Sequence, residues 1–299
     1  MTGRDPGRDR ARGLLLLISG TIVLAIMDAI VKKLSSSAGT LQIVWGRYFV
    51  QAILLFLIIA PHRSIARLRT RRLGLQLLRV ALLLTTTFSF FAALRVMSLA
   101  QTNTLFFSNP LLILLCSALL LREPVGARRW AAVAVGFVGV VMVIQPGSAQ
   151  FGWTALLPLL AAVSSALYHV TTPMLARSED PVTSLYFTAL VAGVGLCAVV
   201  PFFWTPLDAM GWLGIAVLGV LGTVGHFFLI RAFETAPAST LSPFMYLYLV
   251  WATILGWFVF SDIPSLATVA GALVILGSGL YVYRQPAPPG WRRATRGAE

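Results

Sequence analysis

Apolar stretches recur along the chain between short clusters of charged and turn-forming residues. They predict helices near 13–34, 41–60, 73–95, 98–121, 128–145, 152–176, 182–204, 209–231, 238–261 and 264–284. Each is close to the roughly 20 residues a membrane span requires. Ten spans take up about 210 residues and leave about 90 for tails and links, so no sizeable soluble domain remains. The pattern predicts an all-α polytopic membrane protein of ten transmembrane helices joined by short links. Runs rich in Gly and Ala, at 131–140 and 270–279, read as faces on which helices approach closely.

Composition agrees: 58% of the 299 residues are hydrophobic, 11% are charged and the mean hydropathy is +0.85, against about a quarter charged in soluble domains. The net charge of +13 would point to nucleic acid in a soluble chain. Placed against the spans it sorts by side instead. With the N-terminus inside, eighteen arginines fall on cytoplasmic links and tails, among them Arg63, Arg67, Arg69, Arg71, Arg122, Arg177 and Arg292. Only Lys32, Lys33 and Arg95 fall on the other side, with Arg47 and Arg79 inside spans. The positive-inside rule therefore puts both termini in the cytoplasm and the chain in the cell (inner) membrane, its surroundings lipid and not nucleic acid. Residues 1–12 and 285–299 are basic cytoplasmic tails. The first apolar run continues to about Lys32 without a cleavage site, so it reads as a permanent helix and not a signal peptide. Cys116 and Cys197 lie in apolar runs and suggest neither a disulfide nor a metal site.

Sliding the chain against itself by 136 residues pairs Thr87 with Thr223, Phe91 with Phe227, Arg95 with Arg231, Ala100 with Ala236, Thr104 with Thr240 and Leu105 with Leu241. Glu123 answers Asp262 and Gly139 answers Gly277 at slightly larger offsets, and an offset of 141 pairs Ala25 with Ala166, Asp28 with His169 and Leu34 with Leu175. The chain thus divides into a first five-helix repeat, 13–145, and a second, 146–284. Five is odd, so the second repeat enters the membrane from the opposite side. Inverted repeats are an architecture of secondary transporters, with substrate held near the midplane and access alternating by rocking.

The residues that carry this pattern resemble the drug/metabolite transporter superfamily, in its ten-helix EamA-type branch. The resemblance lies in DAIVKKLSSSAGTLQIVWGRYFVQAILL, in ALRVMSLAQTNTLFFSNPLLILLCSALLLREPVGARRWAAVAVGFVGVVMVI and in IRAFETAPASTLSPFMYLYLVWATILGWFVFSDIPSLATVAGALVILGSGLYV, within 13–284. Asp262-Ile263-Pro264 stands where such sequences usually have Glu-Pro, which leaves the capping of that turn open. The resemblance implies an exporter or uptake carrier of small metabolites such as amino acids or their analogues, without fixing which. It also implies a structural role for Arg47.

Ionisable groups inside spans are costly and usually face a cavity or a helix partner. Asp28, deep in span one, and His169, its counterpart in span six, either bound a central cavity or fix helix packing. Arg47 either snorkels to the outer interface or pairs with Asp28. His226 reads as a satisfied core histidine, and Arg79 as an anchor near the cytoplasmic end. Spans four and nine open with small polar residues and contain proline, which frees a carbonyl for water or ligand. In span four Asn103, Ser108 and Asn109 precede the helix break at Pro110; in span nine Ser239, Thr240 and Ser242 precede Pro243. These are cavity and gate candidates, with a packing kink the other reading. Tyr168, Tyr246, Tyr248 and Trp251 are candidate cavity walls, while Trp45 and Trp153 belong to interfacial belts.

No nucleotide-binding loop, H-E-x-x-H or G-x-S-x-G occurs, and His62, His169 and His226 have no metal spacing. No cofactor and no metal are expected. The reading is a secondary carrier, not an enzyme, for a small-molecule substrate, plausibly an amino acid with an apolar or aromatic side chain. The alternative is an integral membrane enzyme acting on a lipid-linked substrate with Asp28 and His169 as acid and base. Proton coupling stays open, since Asp28 is the single carboxylate deep in a span. Oligomeric state is not legible in the sequence, and a monomer is compatible with it.

Overall fold

A computed structural model of the chain describes residues 6–59, 70, 72–120, 126–146, 152–176, 181–236 and 241–284. Among the described residues the protein is all-helical, without strands. In chain order the helices are α1 Pro6–Leu34, α2 Thr40–Ile59, α3 Leu73–Val96, α4 Leu99–Phe106, α5 Asn109–Leu120, α6 Ala127–Ile144, α7 Leu156–Ala176, α8 Pro181–Leu196, α9 Ala209–Thr235, α10 Leu247–Phe260 and α11 Leu266–Arg284. Short 3₁₀ turns precede α7 (Trp153–Ala155), follow α8 (Val200–Phe203) and precede α10 (Ser242–Tyr246).

Seven apolar helical stretches are long enough to cross a membrane: Arg10–Leu34, Thr40–Ile58, Leu73–Val96, Leu99–Leu120, Ala127–Ile144, Trp153–Thr171 and Ala209–Thr235. Three shorter apolar helices, Tyr186–Leu196, Phe244–Phe260 and Leu266–Val282, occupy the remaining places where the hydropathy pattern predicts spans. The link arginines 63, 67, 69, 71, 122 and 177, Arg292 of the tail, Glu123, Ser239 and Thr240 lie outside the described residues.

The helix ends follow local chemistry. Asp208 caps α9 by accepting from the Gly211 amide at 2.8 Å, an ordinary carboxylate N-cap. The turn after α10 is closed by Ser261 in the left-handed region, φ 57°, with the Asp262 amide donating to Gly256 O at 3.0 Å. Ser265 then accepts from the Thr268 amide at 3.1 Å and starts α11. The capping question at Asp262-Ile263-Pro264 is thus answered by Ser261 and Ser265, which leaves the Asp262 side chain for another partner. In span four the chain breaks between α4 and α5, and Pro110 is the second residue of α5, a position where its missing N–H removes no helical bond.

The chain forms two compact units, one of Met1–Ile65, Leu94–Ala100 and Ala189–Ile263, the other of Ala66–Ala93, Gln101–Thr188 and Pro264–Glu299. Each draws on both halves of the sequence. In the first unit α9 packs along α1 and α2, and α10 along α1. Glycines let the backbones approach: a Cβ on Gly219 would overlap Val50, one on Gly225 would stand 2.7 Å from Leu24, and one on Gly214 2.8 Å from Leu34. In the second unit α11 packs on α6 and α5 on α7. There Gly139 and Gly271 face each other so closely that a Cβ on Gly139 would lie 2.8 Å from the Gly271 carbonyl oxygen. The runs 131–140 and 270–279 are therefore packing faces, as their small residues predict.

Some repeat-related positions share burial and others do not, Phe91 being 2% and Phe227 55% exposed. Ala25 and Ala166, Leu34 and Leu175, Ala100 and Ala236, and Leu105 and Leu241 are all buried. Asp28 and His169 do not match in this way: Asp28 is 1% exposed, whereas His169 lies on an open face of α7.

Candidate functional site

The first unit gathers charged and aromatic side chains from four helices. Asp28 lies six residues before the end of α1 and Arg47 seven after the start of α2. At 1.5 Å per residue both are about 10 Å in from the same end of this helical hairpin. They are 1% and 8% exposed. Tyr248 of α10 donates its hydroxyl to Asp28 Oδ2 at 2.5 Å, a charge-assisted bond. The same hydroxyl lies 3.4 Å from the Leu24 carbonyl. Arg47 lies along the notch left by Gly222 of α9, where a Cβ would stand 3.2 Å from its Nε and 3.4 Å from Met27 Sδ. Its guanidinium sits 5.2 Å from the Tyr48 ring centroid. Arg47 is therefore buried in the helix packing. His226 spends Nδ1 on the Gly222 carbonyl at 2.7 Å, as a satisfied core histidine does. Trp251, one turn after Tyr248 on α10, is half-buried, and its buried indole N–H has no hydrogen-bond acceptor among the described residues. Tyr246 is half-buried at the end of the 3₁₀ turn; Ser242 and Pro243 open that turn.

At the end of α1 in the same unit, Lys32 Nζ pairs with Asp262 Oδ2 at 2.6 Å, donates to the Met97 carbonyl at 2.9 Å and lies 5.2 Å from the Phe260 ring centroid. One ammonium thereby ties α1 to the α3–α4 turn and to the end of α10. Nearby ring contacts gather Trp45, Phe49, Trp204 and Trp212, and Trp45 Nε1 donates to Cys197 Sγ at 3.1 Å. Gln42 closes this end by exchanging two 3.1 Å bonds with the Thr205 backbone.

The second unit holds the remaining predicted residues. Arg79 of α3 is 5% exposed and donates Nη2 to the Tyr168 hydroxyl at 2.9 Å. Its guanidinium also lies 4.6 Å from the Tyr168 ring centroid. Arg79 is thus a buried partner of α7, because Tyr168 offers it an oxygen and a ring face inside the packing. Tyr168 meets the His169 ring edge-on at 5.6 Å. Around the break in span four, Asn103 and Ser108 are fully buried. Ser108 donates to its own helix at Leu105 O, 2.7 Å, and Asn109 Nδ2 donates to Ala162 O of α7 at 2.8 Å. At this break Ser108 bonds back to the preceding turn and Asn109 ties the start of α5 to α7, as a packing kink also would.

Of the predicted site residues, Asp28, Tyr248, Tyr246 and Trp251 thus share one unit with Arg47, and Asn103, Ser108, Asn109, Pro110, Tyr168 and His169 share the other. Sequence reasoning missed the Lys32–Asp262 pair and the burial of Arg79. A signal for the first existed: Lys32 follows Asp28 by four residues, on the same face of α1, and is one of the chain's only two lysines.

These helices and buried charges define a multi-pass membrane protein. The EamA-like transporter family matches the chain twice, over residues 11–145 and 152–284, and the chain belongs to that family. It is a transporter of the cell membrane and not an enzyme. It is 26% identical over 270 residues to an S-adenosylmethionine uptake transporter of Rickettsia prowazekii, covering 90% of this chain and 92% of the relative. It is 32% identical to a riboflavin transporter of Brucella anthropi, covering 79% and 86%, and 26% identical to a pseudopaline exporter of Pseudomonas aeruginosa, covering 88% and 93%. A crystal structure of a protein 18% identical in sequence shares the fold, with a TM-score of 0.64 over 90% of this chain and 96% of its own.

Proposed function

We propose that this chain is a secondary carrier that exports an amino acid or amino-acid-derived metabolite with an apolar or aromatic part, by alternating access. The observation that carries this reading is the cluster of Asp28, Tyr248 and Trp251, where a buried carboxylate and an aromatic wall meet on helices that a lipid-facing protein gains nothing by making polar. The 3₁₀ turn at Ser242–Tyr246 supports it, since such breaks place polar backbone where a ligand or water can meet it. The relatives' names span uptake and export and differ in cargo. S-adenosylmethionine is itself an amino-acid derivative with a flat heterocycle, in keeping with such a site.

The topology in this reading is ten spans in two inverted repeats with both termini cytoplasmic. Ser242–Tyr246 continued by α10 reaches about 31 Å at the rises of the two helix types, enough for a hydrocarbon core. Lys32, Met97 and Asp262 meet at one place, which supports a topology that puts all three on the outer side.

Purified protein in liposomes tests the reading. Uptake of labelled amino acids, S-adenosylmethionine and riboflavin would be compared with that of empty liposomes. Protein-dependent transport of at least one amino acid or S-adenosylmethionine is expected; transport of riboflavin alone would replace the substrate class.

A further inference from the structure

The geometry points to Asp28 and Arg47 as a charge-matched pair that receives the ammonium and the carboxylate of a zwitterion, so that the site selects solutes carrying both charges over those carrying one. This rests on the reading of the chain as a carrier of amino acids and their derivatives.

Four observations lead there. Two opposite charges are buried at the same depth on the two arms of one helical hairpin, α1 and α2. Asp28 holds the Tyr248 hydroxyl of α10 at 2.5 Å. Arg47 and Met27, the residue before Asp28, both lie against the space left by Gly222 of α9. Trp251, on the Tyr248 face of α10, adds a buried indole N–H with no acceptor among the described residues, a donor in want of an oxygen.

Stability alone is a weak reason for such a set. A buried ion pair often contributes no more than apolar side chains of the same volume, and in lipid the helices pack through small residues, as α9 does against α1 and α2. Recognition is a better reason. With both charges present the place is neutral overall. A zwitterion is neutral too, and can offer its ammonium to Asp28 in place of the Tyr248 hydroxyl and its carboxylate to Arg47. An amine or an acid alone leaves one protein charge without its match in a medium of low dielectric, which binding must then overcome. The rings of Tyr248 and Trp251 supply the surface for an apolar side chain.

The test uses the full chain in liposomes, with exchange of labelled L-phenylalanine as readout. Unlabelled phenethylamine, which lacks the carboxylate, and 3-phenylpropionate, which lacks the ammonium, serve as competitors. On the wild type each analogue should compete at least about tenfold more weakly than phenylalanine, the factor expected for one lost charged hydrogen bond. Asp28→Asn should narrow the gap for 3-phenylpropionate and not for the amine, and Arg47→Gln should do the reverse. The wild-type arm decides even if a variant fails to fold: analogues competing as well as phenylalanine overturn the inference. Folded variants that keep the wild-type ranking overturn it as well. A wild type that moves riboflavin but neither phenylalanine nor any other amino acid overturns the substrate reading beneath it, and the two failures are distinguishable.

Discussion

Tyr248 and Asp28 stand 220 positions apart in the chain and 2.5 Å apart in the fold, so single atoms here hold elements together. Tyr248→Phe keeps the ring and removes the hydroxyl. A buried hydrogen bond to a charged group contributes about 1.5–3 kcal/mol, and a lowered melting temperature in detergent is expected. An unaltered melting curve would show that the bond holds nothing. The glycines make a second residue-level contrast. Gly219→Ala puts a methyl group into Val50 across the α9–α2 contact and should cost about 1–3 kcal/mol as overpacking does. Gly277 of α11 has open space beside it, so Gly277→Ala should be neutral or gain up to about 1 kcal/mol from helix propensity. Equal effects of the two in a thermal-shift assay would contradict the packing described.

At the scale of elements, the ends of α1 and α10 are joined by Lys32 and Asp262, whose side chains are 17% and 28% exposed. Lys32→Asp and Asp262→Lys should each lower thermal stability, and the double exchange should recover much of it, with a coupling of about 1 kcal/mol. Strictly additive losses would mean that the pair contributes only through its separate contacts. The helices themselves were legible in the sequence, because charges, prolines and caps such as Asp208 mark their ends whatever they pack against. The contacts were not. A span bordered by lipid on one side and apolar helices on the other has no polar face to tell which side is buried, so Arg79 read as an anchor near the cytoplasmic end and Arg47 as either snorkelling or pairing with Asp28. The partners that settle both, Gly222 and Tyr168, lie 175 and 89 residues away. The polar start of span four was legible as a break, but not that Ser108 and Asn109 turn to backbone carbonyls. The Ser108 bond is local, to Leu105, but the Asn109 bond depends on the register between α5 and α7, which no local signal carries.

At the scale of the molecule, the family matches the chain in two successive stretches, while each compact unit takes helices from both. The repeat is therefore a repeat of sequence whose copies interleave in space, with the fifth helix of each, α6 and α11, packed together in one unit. The proposed orientation predicts that single cysteines introduced at Ser148 and Ser64 react with membrane-impermeant reagents from opposite sides, Ser148 from outside. Both reacting from outside would break the ten-span topology. The central claim, a carrier with one site exposed alternately, is tested most directly by counterflow. Liposomes loaded with unlabelled amino acid are diluted into a trace of the labelled one. A carrier exchanges label inward and transiently accumulates it above the outside level, and that overshoot is the result predicted. Entry that rises only to equilibrium, at a rate indifferent to the internal load, would contradict alternating access and indicate an open pore.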